Sequence, residues 1–251
     1  QLIALDTVKN VAEKLNQCGV LLENGIGLDY SGVDSVADSK VEYHRIIVPR
    51  GGEYNLKLAD GTSVWVFAES EIRFPTRFKG NKREVYLEGE AYFDVFHDPA
   101  HPFYVKTKSL DVKVLGTSFN VKAYRNSGVV ETSLVEGVVS VKDNVLRPDI
   151  QATYYEQSGD FSYRKIKGEN YRLRKEQMFV FEEERLDDIL QEMARWYDFE
   201  VFYQNPEMAE KRFGFKLEKY EHVDSLLKIL ELTGEVKFEM LGKSLTVKSG
   251  S

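Results

Sequence analysis

A threonine placed directly after a glycine holds a nucleophile within reach of an acyl group, and Gly116-Thr117 is such a pair inside the run Val112-Lys-Val-Leu-Gly-Thr-Ser-Phe-Asn-Val121. Its hydroxyl can attack the Gly116 carbonyl and exchange the amide for an ester that water cleaves more readily. Glycine suits the attack because no Cβ obstructs it and strained dihedrals are tolerated. The amide is resonance-stabilised and the hydroxyl is weak at neutral pH, so strain or a nearby base has to activate it. The sequence identifies no such base. A glycine framed by Val112, Val114, Phe119 and Val121 also has a structural reading, a bulge or close backbone approach within a strand. The residues alone leave both readings open.

Other constellations carry less chemistry. Glu88, Glu90 and Asp94 are spaced as on one strand face and could be imagined as the paired carboxylates of a glycoside hydrolase. The plainer expectation is a polar outer face flanking a bulge at Gly89. His97 and His101 offer metal ligands, but Pro99 and Pro102 prevent the helix that would converge them, and a solvated loop is expected. Trp65 and Trp196 are expected in the core, not at a sugar site. Glu182-Glu183-Glu184 reads as a solvated charge run opening a helix. The sequence contains no Walker loop, HExxH, GxSxG or EF-hand loop, and Gly25-x-Gly27 lacks a third glycine. No cofactor and no metal are expected.

The elements that position these residues change in character along the chain. Residues 5–17 predict a short helix, capped by Asp6, with Leu5, Val8, Val11 and Leu15 near one face and Gly19 at its end. Asn24-Gly25 predicts a two-residue hairpin turn, and 32–40 a polar loop. Alternating apolar residues then recur every 8 to 12 residues, the spacing of an all-β domain. Asp60-Gly61 joins the strands at 54–58 and 63–67, and Ser158-Gly159-Asp160 divides two tyrosine-rich strands. After Glu176, stripes at i, i+3, i+4, i+7 appear: Leu186, Ile189, Leu190 and Met193, then Val223, Leu226, Leu227 and Leu230 up to Gly234. The resulting order is β-α-β-β-α-β-β, a small sheet covered by two helices. The domains expected are 1–40, an N-terminal segment with a hairpin; 41–175, all-β with connecting strands; and 176–251, α+β.

The 251 residues, 42% hydrophobic and 30% charged, bury a core without difficulty. A net charge of −7 argues against a nucleic-acid partner. The single cysteine, Cys18, excludes an intrachain disulfide and does not settle the redox compartment. No apolar run is long enough to span a bilayer. A start at Gln1 is what a processed or recombinant fragment would show.

Val48-Pro-Arg-Gly51-Gly52, Leu58-Ala-Asp60-Gly61-Thr-Ser-Val-Trp65, the stretch from Phe74 to Val95 with Gly89-Glu90, Pro102-Phe-Tyr-Val-Lys-Thr107, Val112–Tyr124 and Val130–Val141 with Gly137 occur in order. In that order they resemble the FecR-type transmembrane anti-sigma factors, strongly over about 48–145 and moderately over about 179–247. Two departures are Val66-Phe67, where relatives carry Leu-Asn, and Arg174–Gln177, where they carry Trp-x-x-Gly. The resemblance implies a mainly β plus α+β fold: a twisted solenoid-like or sandwich-like FecR domain followed by a small βαββαβ-type domain like the short N-terminal domain of secretins and TonB-dependent receptors. It implies the periplasmic part of a single-pass inner-membrane protein of a Gram-negative bacterium, not a turnover enzyme. The implied partners are the signalling domain of a TonB-dependent outer-membrane transporter, an extracytoplasmic-function sigma factor bound through a cytoplasmic segment, and regulatory proteases. Some members cut themselves at the matching Gly-Thr, which makes Gly116 and Thr117 candidate self-cleavage residues. A glycan-binding module, or a hydrolase using Glu88, Glu90 or Asp94, is the alternative.

Overall fold

The computed structural model describes residues 21–23, 27–32, 41–142, 144–219 and 222–250. The expected helix at 5–17, Cys18, the Asn24-Gly25 turn and most of the 32–40 loop lie outside them. The described chain forms two compact units, one of residues 1–48 and 53–168, the other of 49–52 and 169–251.

In the first unit, alternating strands close into one 15-stranded sheet. Its strands are β1 (Leu21–Glu23), β2 (Gly27–Asp29), β3 (Tyr43–Val48), β4 (Tyr54–Lys57), β5 (Ser63–Val66), β6 (Ser70–Pro75), β7 (Arg83–Asp94), β8 (Phe103–Lys106), β9 (Asp111–Val114), β10 (Ser118–Ala123), β11 (Val129–Glu136), β12 (Val139–Val141), β13 (Asn144–Leu146), β14 (Ile150–Tyr155) and β15 (Phe161–Lys165). The path β1-β2-β4-β5-β7-β10-β11-β14-β15 follows chain order from one edge to the other. β7 shows how the sheet curls. Its first half pairs with β6 and β8, and its second half with β5 and β10. The switch falls at Gly89, whose φ of +105° is closed to side-chain-bearing residues. A Cβ there would come within 2.2 Å of Ser70 Oγ and 2.6 Å of Ser70 Cα.

The same crossing recurs along the sheet. Glu69 (φ +58°) joins β5 to β6, Gly137 (φ +93°) joins β11 to β12, and Asp149 (φ +62°) precedes β14. Strands that change layers at such corners close both halves over one core. Val64, Val66, Phe93, Phe119, Val121 and Leu134 come from one half; Ile72, Phe74, Leu87, Phe103, Val112 and Val139 come from the other. Trp65 does not join this cluster. It alternates with buried Val64 and Val66 on the opposite face and meets Tyr92 edge-on at 5.9 Å.

In the second unit, α1 (Gly168–Lys175) precedes β16 (Met178–Arg185), α2 (Leu186–Tyr197), β17 (Glu200–Tyr203), a 3-10 turn (Pro206–Glu210), β18 (Arg212–Glu218), α3 (Val223–Glu231), β19 (Val236–Leu241) and β20 (Ser244–Ser249). The expected single sheet is in fact two: β16 pairs with β18, and β20 lies between β17 and β19. Leu186, Ile189, Leu190 and Met193 of α2 and Leu226, Leu227 and Leu230 of α3 supply a common core with Phe179, Phe181, Phe213, Leu245 and Val247. Asp187 and Asp188 occupy the first turn of α2, where carboxylates oppose the positive helix end. Asp198 (φ +56°) ends that helix. Glu182–Glu184 do not open a helix. They lie at the end of β16, at a register shift centred on Glu183 (φ +53°), whose carbonyl accepts from Arg212 Nη1 at 2.6 Å.

Candidate functional site

Gly116 and Thr117 form a further corner of the first unit, between β9 and β10. Gly116 has no positive φ, so its need for glycine comes from crowding. A Cβ would lie 2.5 Å from both Cα and Nδ1 of His97. On the other side Gly137 packs so closely that a Cβ at that position would meet Thr117 Oγ1 at 2.9 Å and the Gly116 carbonyl oxygen at 3.0 Å. Thr117 is buried and donates its hydroxyl proton to the Val138 carbonyl at 2.9 Å. The Ser118/Phe119 register shift of the β10–β11 ladder follows immediately, the bulge expected of this stretch. The hydroxyl thus rests on a main-chain carbonyl, a weak base, while the imidazole covers the glycine.

The His97 loop is held by groups that sequence reasoning passed over. Arg83, almost fully buried, donates from Nη1 to Asp60 Oδ2 at 2.6 Å and to the Phe96 carbonyl at 2.9 Å, and from Nε to the His101 carbonyl at 2.7 Å. Asp60 also accepts the Thr62 hydroxyl at 2.7 Å, and Gly61 turns the hairpin at φ +86°. The Asp98 amide donates to the Leu115 carbonyl at 2.8 Å. The only local signal was an arginine opening an otherwise apolar-alternating strand. His101 pairs with Asp98 at 2.7 Å, which holds the Asp98 carboxyl below its usual range. Among the described residues, no group of three or more histidine, cysteine, aspartate or glutamate side chains is placed to hold a metal.

The three carboxylates do not converge. Glu88 and Asp94 are exposed, Glu88 paired with Arg125 at 2.8 Å and Asp94 accepting from Ser118 Oγ at 2.7 Å. Glu90 is not on the polar outer face. It is buried and accepts from Asn120 Nδ2 at 3.0 Å, while its amide donates to Ser70 Oγ at 2.8 Å. The left-handed Gly89 between them turns Glu88 and Glu90 to different surroundings, so the i, i+2 rule fails here. Trp196 packs beside the second core and donates from Nε1 to the Lys219 carbonyl at 2.8 Å. Lys219, buried near the rings of Trp196 and Phe179, was not legible in the sequence. Gly51 (φ +75°) and Gly52 belong with the second unit, where the Gly51 amide donates to the Arg195 carbonyl at 2.8 Å.

Two family models match this architecture in chain order: "FecR protein" over residues 44–140 and "FecR, C-terminal" over 178–247. The chain belongs to the FecR family. Two crystal structures of a protein described as an anti-sigma factor from Parabacteroides distasonis are similar to it. One, at 1.65 Å resolution, has a TM-score of 0.76 at 25% identity, covering 83% of this chain and all of that one. The other, at 2.50 Å, has a TM-score of 0.75 at 26% identity, covering 84% of this chain and again all of the other. No curated protein matches. FecR-family membership makes this a regulatory, non-enzymatic protein with an anti-sigma role. Among the described residues, no helix is long and apolar enough to cross a membrane.

Proposed function

We propose that this FecR-family chain is the periplasmic portion of a single-pass inner-membrane anti-sigma factor. In this reading it receives a signal from the signalling domain of a TonB-dependent outer-membrane transporter and relays it to an extracytoplasmic-function sigma factor. The observation that carries it is the sequence of two family regions: a FecR β unit followed by a separately cored C-terminal unit. The C-terminal unit is read as the receptor-facing, STN-like piece, because β17 and β19 are the edges of its three-stranded sheet and strand addition is a common mode of association. Relay requires the transporter domain to bind two states of this chain with different affinity, since equal affinity shifts nothing. Regulatory proteases and scission at Gly116-Thr117 are the routes by which such a shift becomes irreversible.

The test is titration of candidate transporter signalling domains against the whole chain and against residues 1–175. Binding by the whole chain and not by 1–175 supports the reading. Equal binding by both moves the interface to the β unit, and binding by neither removes the transporter from the scheme.

A further inference from the structure

We propose that a cleft at the β7 corner of the first unit binds a short zwitterionic peptide, taking its terminal carboxylate at Arg73 and its terminal ammonium at Glu156. The site stands apart from the transporter reading. The cleft, of about 270 Å³, opens where β7 leaves one half of the sheet for the other. Its floor is the end of the first core: Leu87, Ala123 and Val130 line it, all buried and all members of that cluster. An apolar floor ringed by a few fixed polar groups is the usual form of a ligand site, and this volume is near the lower end of such sites, about 300 to 1,000 Å³. A di- or tripeptide suits it. The walls are tied down: Tyr124 donates its hydroxyl to the Ala68 carbonyl at 3.0 Å. In the β8–β9 turn, Thr107 Oγ1 donates to the Leu110 carbonyl at 2.7 Å and accepts the Leu110 amide at 3.1 Å, which fixes Lys108 and Ser109 at the rim.

The charges around the cleft specify what fits. Most are already matched: Glu71 meets Arg45 at 3.4 Å, Glu88 meets Arg125 at 2.8 Å, and Lys106 meets Asp111 at 2.5 Å. Among the described residues, Arg73, Lys108 and Glu156 line the cleft and make no ion pair. The Arg73 guanidinium carbon sits over two rings, 4.2 Å from the centre of Tyr86 and 5.1 Å from that of Tyr43. Ring faces hold the group in place without consuming its N–H donors, which are left to fork a carboxylate. Glu156 accepts from Ser109 Oγ through Oε1 at 2.6 Å, and among the described residues its Oε2 accepts from nothing. An ammonium can take that oxygen. The residual balance is two cations to one carboxylate, so the carboxylate end of the ligand is the stronger anchor. A simple anion would leave Glu156 facing like charge, and a neutral sugar would leave all three groups unpaired. A peptide with free termini satisfies both signs and lays an apolar side chain on the floor.

The probe is the tripeptide alanyl-leucyl-alanine, titrated against the whole chain by calorimetry and by amide NMR shifts, beside its N-acetylated and C-amidated forms. The expected result is binding of the free peptide, with shifts centred on Lys108, Ser109, Tyr124 and Glu156. Amidation should weaken binding about tenfold through loss of a charge-assisted fork, and acetylation should weaken it less. Arg73→Met should weaken the free peptide about as much as amidation does, and should make the chain indifferent to amidation. Glu156→Gln should make it indifferent to acetylation. Lys113→Met, at an exposed cation that does not line the cleft, should change nothing. The capped peptides test the same contacts on the unaltered chain, so a variant that fails to fold does not shelter the proposal. No binding of the free peptide at millimolar concentration, equal binding of all three peptides, or shifts confined to other surfaces overturns it. So do capping penalties that persist in Arg73→Met and Glu156→Gln.

Discussion

Asp60 and Arg83 form a buried ion pair, 2.6 Å apart, that fastens the turn after β4 to the start of β7 and, through the Phe96 and His101 carbonyls, to the loop bearing His97. A pair of this kind stabilises little relative to an apolar substitute, but removing one member leaves a buried charge. Asp60→Ala should therefore cost about 3 kcal/mol, read as a lowered urea midpoint at unchanged slope. Asp60→Ala combined with Arg83→Met, which removes both charges, should cost less than Asp60→Ala alone.

Gly89→Ala tests the corner geometry. An alanine would have to hold φ near +105° and displace Ser70, which lies 2.2 Å from its Cβ. The combined backbone strain and overpacking should cost about 3 kcal/mol or more. Gly89→Ala with Ser70→Gly would recover only the steric share, which a double-mutant cycle measures.

At Gly116-Thr117, slow scission independent of proteases is expected in the full-length protein. Intact-mass spectrometry after incubation should show fragments ending at Gly116 and beginning at Thr117. Thr117→Ala should abolish them while keeping the fold, at a cost of about 1 kcal/mol for the lost bond to Val138. Thr117→Ser should retain some. A wild type that stays whole, both purified and in its membrane-bound parent, leaves the glycine with its packing role alone.

Acid should loosen the first unit through His44. Burial pushes its imidazole down from the usual value, with Glu42 acting in the opposite direction, and Tyr30 Oη lies 2.8 Å from Nδ1. The folded chain thus holds His44 neutral at a pH where the unfolded chain, near about 6.5, takes up a proton. The stability is fully present above that value and is lost as pH falls from there towards the lowered folded value. Urea midpoints between pH 7 and 5, compared with His44→Gln, should show this part of the slope disappear in the variant.

Limited trypsin digestion should cut first between Arg164 and Gln177, after Lys165 or Lys167, because β15 is exposed and this stretch of chain follows the residues of the first core and precedes those of the second. Early cuts within β5–β12 would count against two separately cored domains.

Strands β4, β5, β9, β10, β14 and β15 and the helices α2 and α3 were legible because each satisfies a local period: alternation for a half-buried strand, and the Leu186 and Val223 stripes for a helix packed on one side. α1 was missed, since the segment 168–175 is mostly polar and offers no apolar stripe. The two small sheets were read as one because strand partners are set by non-local pairing, with β17 choosing β20 across α3 and β19. Gly116 was recognisable as a constrained position. The reason for its constraint, His97 lying against it, depends on a loop held by Arg83 from another strand, which no local pattern encodes. Glu90 was misplaced because a left-handed glycine cancels the alternation on which face assignment depends.

The interleaving of strands around the β9–β10 corner has a mechanical meaning. Were the backbone broken at Gly116, β7 upstream of the break would still be zipped to β10 downstream, and β9 upstream to β12 downstream. The two polypeptides would persist as one folded body, sharing a core, and a chemical cut would leave no immediate trace in shape. Because the sheet order runs with the chain from β1 to β15, tension between its ends loads the ladders in series. In an intact chain the covalent bond at this corner limits how far the halves can be drawn apart; in a cut chain only hydrogen bonds and packing do. Such a break would turn a tether into a clasp that a pull can open.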